Sequence, residues 1–271
     1  MKAILNHKTI DIDNLLLSLT NRGFKYGDGL FETIALINGT PRFLKDHLNR
    51  LKKGAEVLKL DLDDQIDYRK ICRHINNLQE QNKIQGDAIL RLYIWRNAEG
   101  KYTPNGRNCD ALLTIEDSVF NKLTLISKAD FSNTISNYPS CISSLKTMSA
   151  LNYVIAGIEK KERKLDEIIL LDSKGNISEA LSSNIFWKKD EKFYTPPLST
   201  GCIEGVMRNW LIKELIKNGY QVKEKLSKIA QFIQADSIFT TNANGINYIQ
   251  TIDKNSYTVD TISYELLNSV S

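Results

Sequence analysis

The sequence predicts a mixed α/β (α+β) chain in two domains. Three observations carry that expectation. Strand-type alternation and helix-type spacing both recur along the 271 residues, and neither period prevails. In the first part, alternating runs are joined by turn signals such as Asn38-Gly39, which points to an antiparallel sheet carrying helices. A polar stretch, Glu116 to Lys122 (EDSVFNK), then precedes a second series of strands and helices. The expected domains are residues 1–117, a small N-terminal antiparallel sheet with helices, and residues 118–271, a larger C-terminal domain.

Lys2 to Asn6 opens as a strand, and Leu15 to Leu19 is a further apolar run. In NRGFKYGDGLFETIALINGTPRF, two glycines flank Asp28 and suggest a tight turn. Leu30 to Ile37 follows as a strand, and Asn38-Gly39 returns it through Arg42 and Phe43. Leu44, Leu48, Leu51, Ala55 and Leu58 recur every three or four residues, so a helix here faces the core with that stripe. His47 and Arg50 flank the stripe, where such residues are ordinarily solvated or structurally bonded. A second helix is expected over Gln65 to Gln81. Ala88 to Arg96 (AILRLYIWR) alternates Arg91, Tyr93 and Trp95 against Leu90, Leu92 and Ile94. A cationic loop leads from it to a strand over Ala111 to Glu116.

In the second region, Leu123 to Ser127 and Cys141 to Leu145 read as strands, with a helix from just after Lys146 to about Arg163. Leu151, Val154, Ile155 and Ile158 share one face of that helix. Glu167 to Leu171, Ile177 to Lys188 and Lys192 to Thr195 are strands, the first two separated by the turn at Asp172 to Asn176. The stretch STGCIEGVMRNWLIKELIKNG turns through glycine into a helix that ends at Gly219. Such a helix start favours an anion, although many helices begin after glycine. Strands near Gln221, Ile238 to Thr241 and Ile246 to Ile249, and a helix from about Thr258, close the chain.

Hydrophobic content of 42% and charged content of 25% are ordinary for a globular protein. The net charge of +4 is scattered, so nucleic acid is not an expected partner, while a mildly cationic surface suits small anions. Cys72, Cys109, Cys141 and Cys202 show no paired spacing, which argues against a disulfide frame or a zinc site. No run is long and apolar enough for a signal peptide or a membrane span, so a cytoplasmic location is expected.

The segment SCISSLKTMSALNYVIAG places Lys146 at an expected strand-to-helix junction between Leu145 and Met148. Desolvation there would lower an amine's pKa and make it a nucleophile or base. From this segment alone, a lysine snorkelling to solvent is the ordinary reading.

Several stretches, in order, resemble one family. RGFKYGDGLFET, DHLNRL, SLKT, SEALSSNIF, GCIEGVMR and FTTNANGI are similar to motifs of the fold-type IV pyridoxal-phosphate enzymes, or class IV aminotransferases. The resemblance implies a D-amino-acid-aminotransferase-like fold with a β-barrel-like C-terminal domain, pyridoxal 5'-phosphate as cofactor, and a homodimer. It implies that Lys146 carries the cofactor covalently and later moves the proton. Arg50 matches the arginine on the cofactor phosphate, where a guanidinium gives bidentate bonds to the dianion. Gly205, Val206 and Met207 match the phosphate-cupping turn, with methionine where many relatives have threonine. Thr241 and Asn242 match a further phosphate contact. Glu179 matches the carboxylate under the pyridine nitrogen, where an anion keeps the ring protonated.

Within the family, GVMR, Phe186-Trp187 and Thr241-Asn242-Ala243 resemble the aminodeoxychorismate lyase subgroup. That implies conversion of 4-amino-4-deoxychorismate to 4-aminobenzoate and pyruvate. Relatives that transaminate branched-chain acids usually have tyrosine at the position of Leu151, and D-amino-acid enzymes usually have it at Phe31. Arg96, Lys101 and Tyr102 lie in the loop that contacts substrate in this family, and with Phe31 they are the expected substrate residues. The alternatives are a transaminase for branched-chain or D-amino acids and a non-catalytic relic of the fold.

Overall fold

The computed structural model describes residues 1–62, 66–120 and 123–269. The chain divides into two compact units, Met1–Phe120 with Leu145–Ala150, and Asn121–Ser144 with Leu151–Ser271. The segment bearing Lys146 thus belongs to the first unit, whereas sequence placed it in the C-terminal domain. The start of the expected second helix, at Gln65, and the end of the polar stretch, at Asn121 and Lys122, lie outside the described residues.

In the first unit, β1 (Lys2–Leu5), β2 (Lys8–Asp11), β3 (Gly29–Ile37), β4 (Thr40–Pro41), β5 (Ala88–Arg96) and β6 (Cys109–Asp117) form one sheet. Its order is β2-β1-β6-β5-β3-β4, and every pairing is antiparallel. A short helix, α1 (Arg22–Tyr26), precedes β3, and the helices α2 (Leu44–Leu58) and α3 (Tyr68–Asn82) follow the β3–β4 hairpin. Leu44, Leu48, Leu51 and Ala55 of α2, with Ile71, Ile75 and Leu78 of α3, pack on Leu90, Leu92 and Ile94 of β5 in one apolar core. The alternation of β5 decides which face meets the helices.

The second unit holds β7 (Thr124–Ile126), β8 (Ala129–Asn137), β9 (Glu167–Asp172), β10 (Ile177–Ala180), β11 (Asn184–Lys189) and β12 (Lys192–Thr195). Its later strands are β13 (Gln221–Glu224), β14 (Ser237–Asn242), β15 (Gly245–Ile249), β16 (Thr251–Ile252) and β17 (Asn255–Ser256). They make two sheets, β10-β9-β8-β16-β17 and β13-β12-β11-β14-β15-β7. The helices are α4 (Leu151–Glu162), α5 (Val206–Lys217), α6 (Ile229–Phe232) and α7 (Ile262–Asn268). Ile185 and Trp187 of β11, Ile238 of β14, Ile249 of β15 and Phe232 of α6 share a second core.

Two local corrections concern the approach to Lys146. Cys141 to Leu145 is not a strand but a series of turns with Cys141 and Ile142 exposed. Ser143 Oγ accepts from the Ser140 N–H at 3.1 Å, and Ser140 Oγ accepts from the Ile142 N–H at 3.3 Å. Serine hydroxyls that bond nearby backbone in this way compete with a strand ladder. The strand lies earlier instead, at β8, whose sequence ADFSNTISN is too polar to advertise it. Its pairing with β9 shifts register between Phe131 and Ser136. Glu159 of α4 accepts the N–H groups that this bulge releases, from Asn133 at 3.0 Å and Thr134 at 3.2 Å.

Candidate active site

In the first unit, Lys146 is fixed by docking its own backbone onto β3. The Phe31 N–H donates to the Lys146 carbonyl at 3.0 Å, and the Met148 N–H donates to the Gly29 carbonyl at 2.9 Å. Thr147 is bridged to Leu30 between these two bonds. The glycines around Asp28 permit this approach. A Cβ on Gly29 would lie 2.3 Å from the Ile94 carbonyl oxygen and 2.6 Å from Met148 Sδ. Gly27, at φ +63°, caps α1 in the left-handed region and would bring a Cβ 3.1 Å from the Ser149 backbone. The helix α4 begins at Leu151, not directly after Lys146, because Thr147 and Met148 are held against β3.

The Lys146 ammonium lies over the Phe31 ring, 4.4 Å from its centroid. The Phe31 ring is itself stacked with Tyr93 at 6.1 Å. One residue along β3 the side chain turns inward, and Glu32 is buried against α2. Arg50 donates to Glu32 through Nε, at 2.8 Å, and through Nη2, while His47 Nδ1 lies 2.7 Å from Glu32 Oε2. Burial alone would raise the Glu32 pKa, but Arg50 and His47 outweigh it and hold the carboxyl below its ordinary value. Arg50 is thus held by a buried anion behind it. Sequence reasoning named Arg50 and overlooked Glu32, although alternation along LFET puts it on the α2 face.

The expected substrate loop divides. Arg96 is buried. It falls on the core face of β5 with Leu90, Leu92 and Ile94, and its donors go inward. Nε bonds Asp28 at 2.9 Å, while Nη1 and Nη2 reach the carbonyls of Lys59, Gly106 and Leu58. The carboxylate of Asp28 also accepts from Arg22 Nε at 2.8 Å, and Arg22 Nη1 holds the carbonyls of Gly100 and Lys101. The two guanidiniums clasp the loop by its backbone. The side chains of Lys101 and Tyr102 are exposed, with the Tyr102 ring 5.7 Å from Tyr26.

In the second unit, Glu179 stands on β10 and is 2% exposed. Asn137 Nδ2 at 2.9 Å and the Tyr153 hydroxyl at 2.8 Å both donate to its Oε1, and the Ile203 N–H donates to Oε2 at 3.1 Å. Cys202, beside it, is pushed up to about 11 by burial and by the Glu179 charge, so its thiol stays neutral. Asn137 and Tyr153 were not found from sequence. Tyr153 was hidden in an apolar helical stretch, where only its place off the stripe of Leu151, Val154, Ile155 and Ile158 marks it.

The same unit gathers the expected phosphate residues. Thr241 pairs with Asn184 across β14 and β11, and Asn184 Nδ2 holds the Ile203 carbonyl at 2.8 Å. A Cβ on Gly205 would fall 1.9 Å from Asn184 Oδ1, so only glycine fits at this start of α5. Gly205 caps the helix without a side-chain acceptor for the first N–H groups, those of Val206 and Met207. Met207 is buried and brings no hydroxyl. Thr241 Oγ1 is buried and has no hydrogen-bond partner among the described residues. Asn242 Nδ2 donates to Ser183 Oγ at 2.9 Å. An uncapped helix start, a glycine that admits no side chain and an orphaned hydroxyl suit a phosphate dianion.

A model of the amino-transferase class IV family matches residues 29–246. The chain belongs to the class IV aminotransferase family. Its members are PLP-dependent enzymes, and pyridoxal 5'-phosphate is the cofactor of this one. The class IV chain is 29% identical to a putative branched-chain-amino-acid aminotransferase of Methanocaldococcus jannaschii, over 89% of this chain and 84% of that one. It is 27% identical to aminodeoxychorismate lyase of Bacillus subtilis, over 88% and 82%. Its fold matches the branched-chain aminotransferase of Thermoproteus uzoniensis with a TM-score of 0.88 at 22% identity, covering 100% of this chain and 93% of that one. The phosphate-suited start of α5 lies within the matched span. No helix among the described residues is long and apolar enough to cross a membrane, and no metal-binding cluster is found among them.

Proposed function

We propose that this class IV enzyme is a lyase that converts 4-amino-4-deoxychorismate to 4-aminobenzoate and pyruvate. The observation that carries this reading is the aromatic surface beside Lys146, where Phe31 lies under the ammonium and stacks with Tyr93. A flat apolar wall without a hydroxyl at position 31 suits a cyclic substrate on its way to an aromatic ring. Arg50, Gly205, Val206, Met207, Thr241 and Asn242 would hold the cofactor phosphate, and Glu179 its ring nitrogen. The bound cofactor supplies an electron sink for the carbon attached to the substrate amine. Lys146 Nζ would take the proton from that ring carbon, and the C–O bond on the adjacent ring carbon would break to release enolpyruvate. Enolpyruvate takes up a proton at carbon to become pyruvate, and aromatisation would drive the step. Lys101 and Tyr102, exposed on a loop clasped by Arg22 and Arg96, would meet the substrate carboxylates.

The second reading is a transaminase for branched-chain or D-amino acids with an α-keto acid acceptor. The name of the Methanocaldococcus jannaschii relative favours it. Incubation with aminodeoxychorismate decides between them. The lyase releases 4-aminobenzoate and pyruvate in equal amounts. No aminobenzoate, with rapid keto-acid-dependent turnover of an amino acid, would select the transaminase. We further propose a cytoplasmic homodimer, in keeping with four free thiols and with a face of α4 left apolar and exposed.

A further inference from the structure

The reach of Tyr153 to Glu179 is not explained by packing alone. Tyr153 is the third residue of α4, half-buried, and its ring emerges off the apolar stripe of that helix. A phenol in that setting could bond any nearby carbonyl. Instead its hydroxyl meets the Glu179 Oε1 at 2.8 Å. Asn137, at the end of β8, places Nδ2 2.9 Å from the same oxygen and 3.0 Å from Ser178 Oγ. The backbone N–H of Ile203 meets the other oxygen. Three elements, β8, α4 and the loop before α5, therefore fix both oxygens of one carboxylate that is almost wholly out of water. Such a charge is tolerated only when it is bonded on several sides.

We propose that Tyr153 is a positioning residue for the cofactor ring: its hydroxyl holds the Glu179 carboxylate aimed, so that it can meet the pyridine nitrogen. This rests on the reading that Glu179 faces that nitrogen. Burial and the Glu179 charge both raise the phenol's pKa, so the hydroxyl stays a donor throughout the working range. Asn137 is also bonded to Ser178, so loss of the phenol removes from Oε1 the one side-chain donor that α4 supplies. The remaining donors keep the fold together, and the loss falls on aim.

The experiment is a titration of cofactor-stripped, full-length protein with pyridoxal phosphate and with its 1-deaza analogue, which lacks the ring nitrogen. It is read by protein fluorescence. Tyr153→Phe should weaken binding of pyridoxal phosphate about three- to ten-fold, within the range of the net contribution of one hydrogen bond. It should leave binding of the deaza analogue and the melting temperature almost unchanged. In a Glu179→Gln background, the same substitution should have no further effect. Equal weakening toward both ligands, or an undiminished effect in the Glu179→Gln background, would overturn the positioning role. If the unsubstituted protein binds the two ligands equally, Glu179 does not meet the nitrogen, and the proposal falls with that reading. Should Tyr153→Phe fold poorly, Tyr153→His, which restores a donor, should recover the preference for pyridoxal phosphate; a folded His variant without that preference counts against the proposal.

Discussion

The side chains of the candidate site are held by partners that sequence reasoning did not name. Arg50 reads as a phosphate ligand, yet its guanidinium is forked onto buried Glu32. Arg50→Ala should therefore lower cofactor affinity and also destabilise the apo-protein by about 3 kcal/mol, since it strands a buried carboxylate. Denaturant melts alongside cofactor titrations check both, and an unchanged affinity would contradict the phosphate role. Glu159 makes a parallel case in the second unit. Burial alone would raise its pKa, but bonds from Thr134, Asn133, Ser132 and Arg163 lower it to about 2. A carboxyl whose folded pKa lies below its unfolded value of about 4.5 stabilises the fold above that value. The contribution fades as the pH falls toward 2. Glu159→Gln should thus cost up to about 3 kcal/mol at neutral pH and almost nothing near pH 2. Equal losses at both ends would contradict the assignment.

At the scale of elements, the placement of Lys146 depends on how closely its segment can lie on β3. Gly29→Ala would push a Cβ to 2.3 Å from the Ile94 carbonyl, and the segment from Lys146 to Met148 would have to move. The expected result is a folded protein, less stable by about 1–3 kcal/mol, that no longer retains cofactor. Full cofactor retention would show that the docking is dispensable. Here the limits of sequence reading become physical. The stripe from Leu44 to Ala55 and the alternation of Ala88 to Arg96 were legible, because periodic burial leaves a periodic pattern. Lys146, Arg50 and Glu179 stood out as candidates through ordered motifs, not through any property of their own neighbourhoods. β8 was not legible, because its polar residues serve a bulge bonded to Glu159, and neither was the turn at Cys141, which serine hydroxyls decide. The burial of Arg96 followed from the phase of β5, but its place near a loop suggested otherwise.

For the molecule as a whole, the exposed face of α4 bears on assembly. Leu151, Val154, Ile155 and Ile158 line one face of α4 and are 70%, 54%, 38% and 49% exposed. An apolar helix face left to water invites a partner surface. The proposed homodimer should appear in light scattering at about twice the 30.8 kDa of one chain. Ile155→Asp and Val154→Asp together should shift it toward monomer, while a dimer of unchanged strength would move the interface elsewhere. The most direct test of the chemistry is chemical mapping of the cofactor. Borohydride reduction of the purified protein, followed by digestion and mass spectrometry, should place a phosphopyridoxyl group on the peptide containing Lys146. A reduced cofactor on any other lysine, or no covalent adduct in a protein that turns over substrate, would contradict the central role given to Lys146.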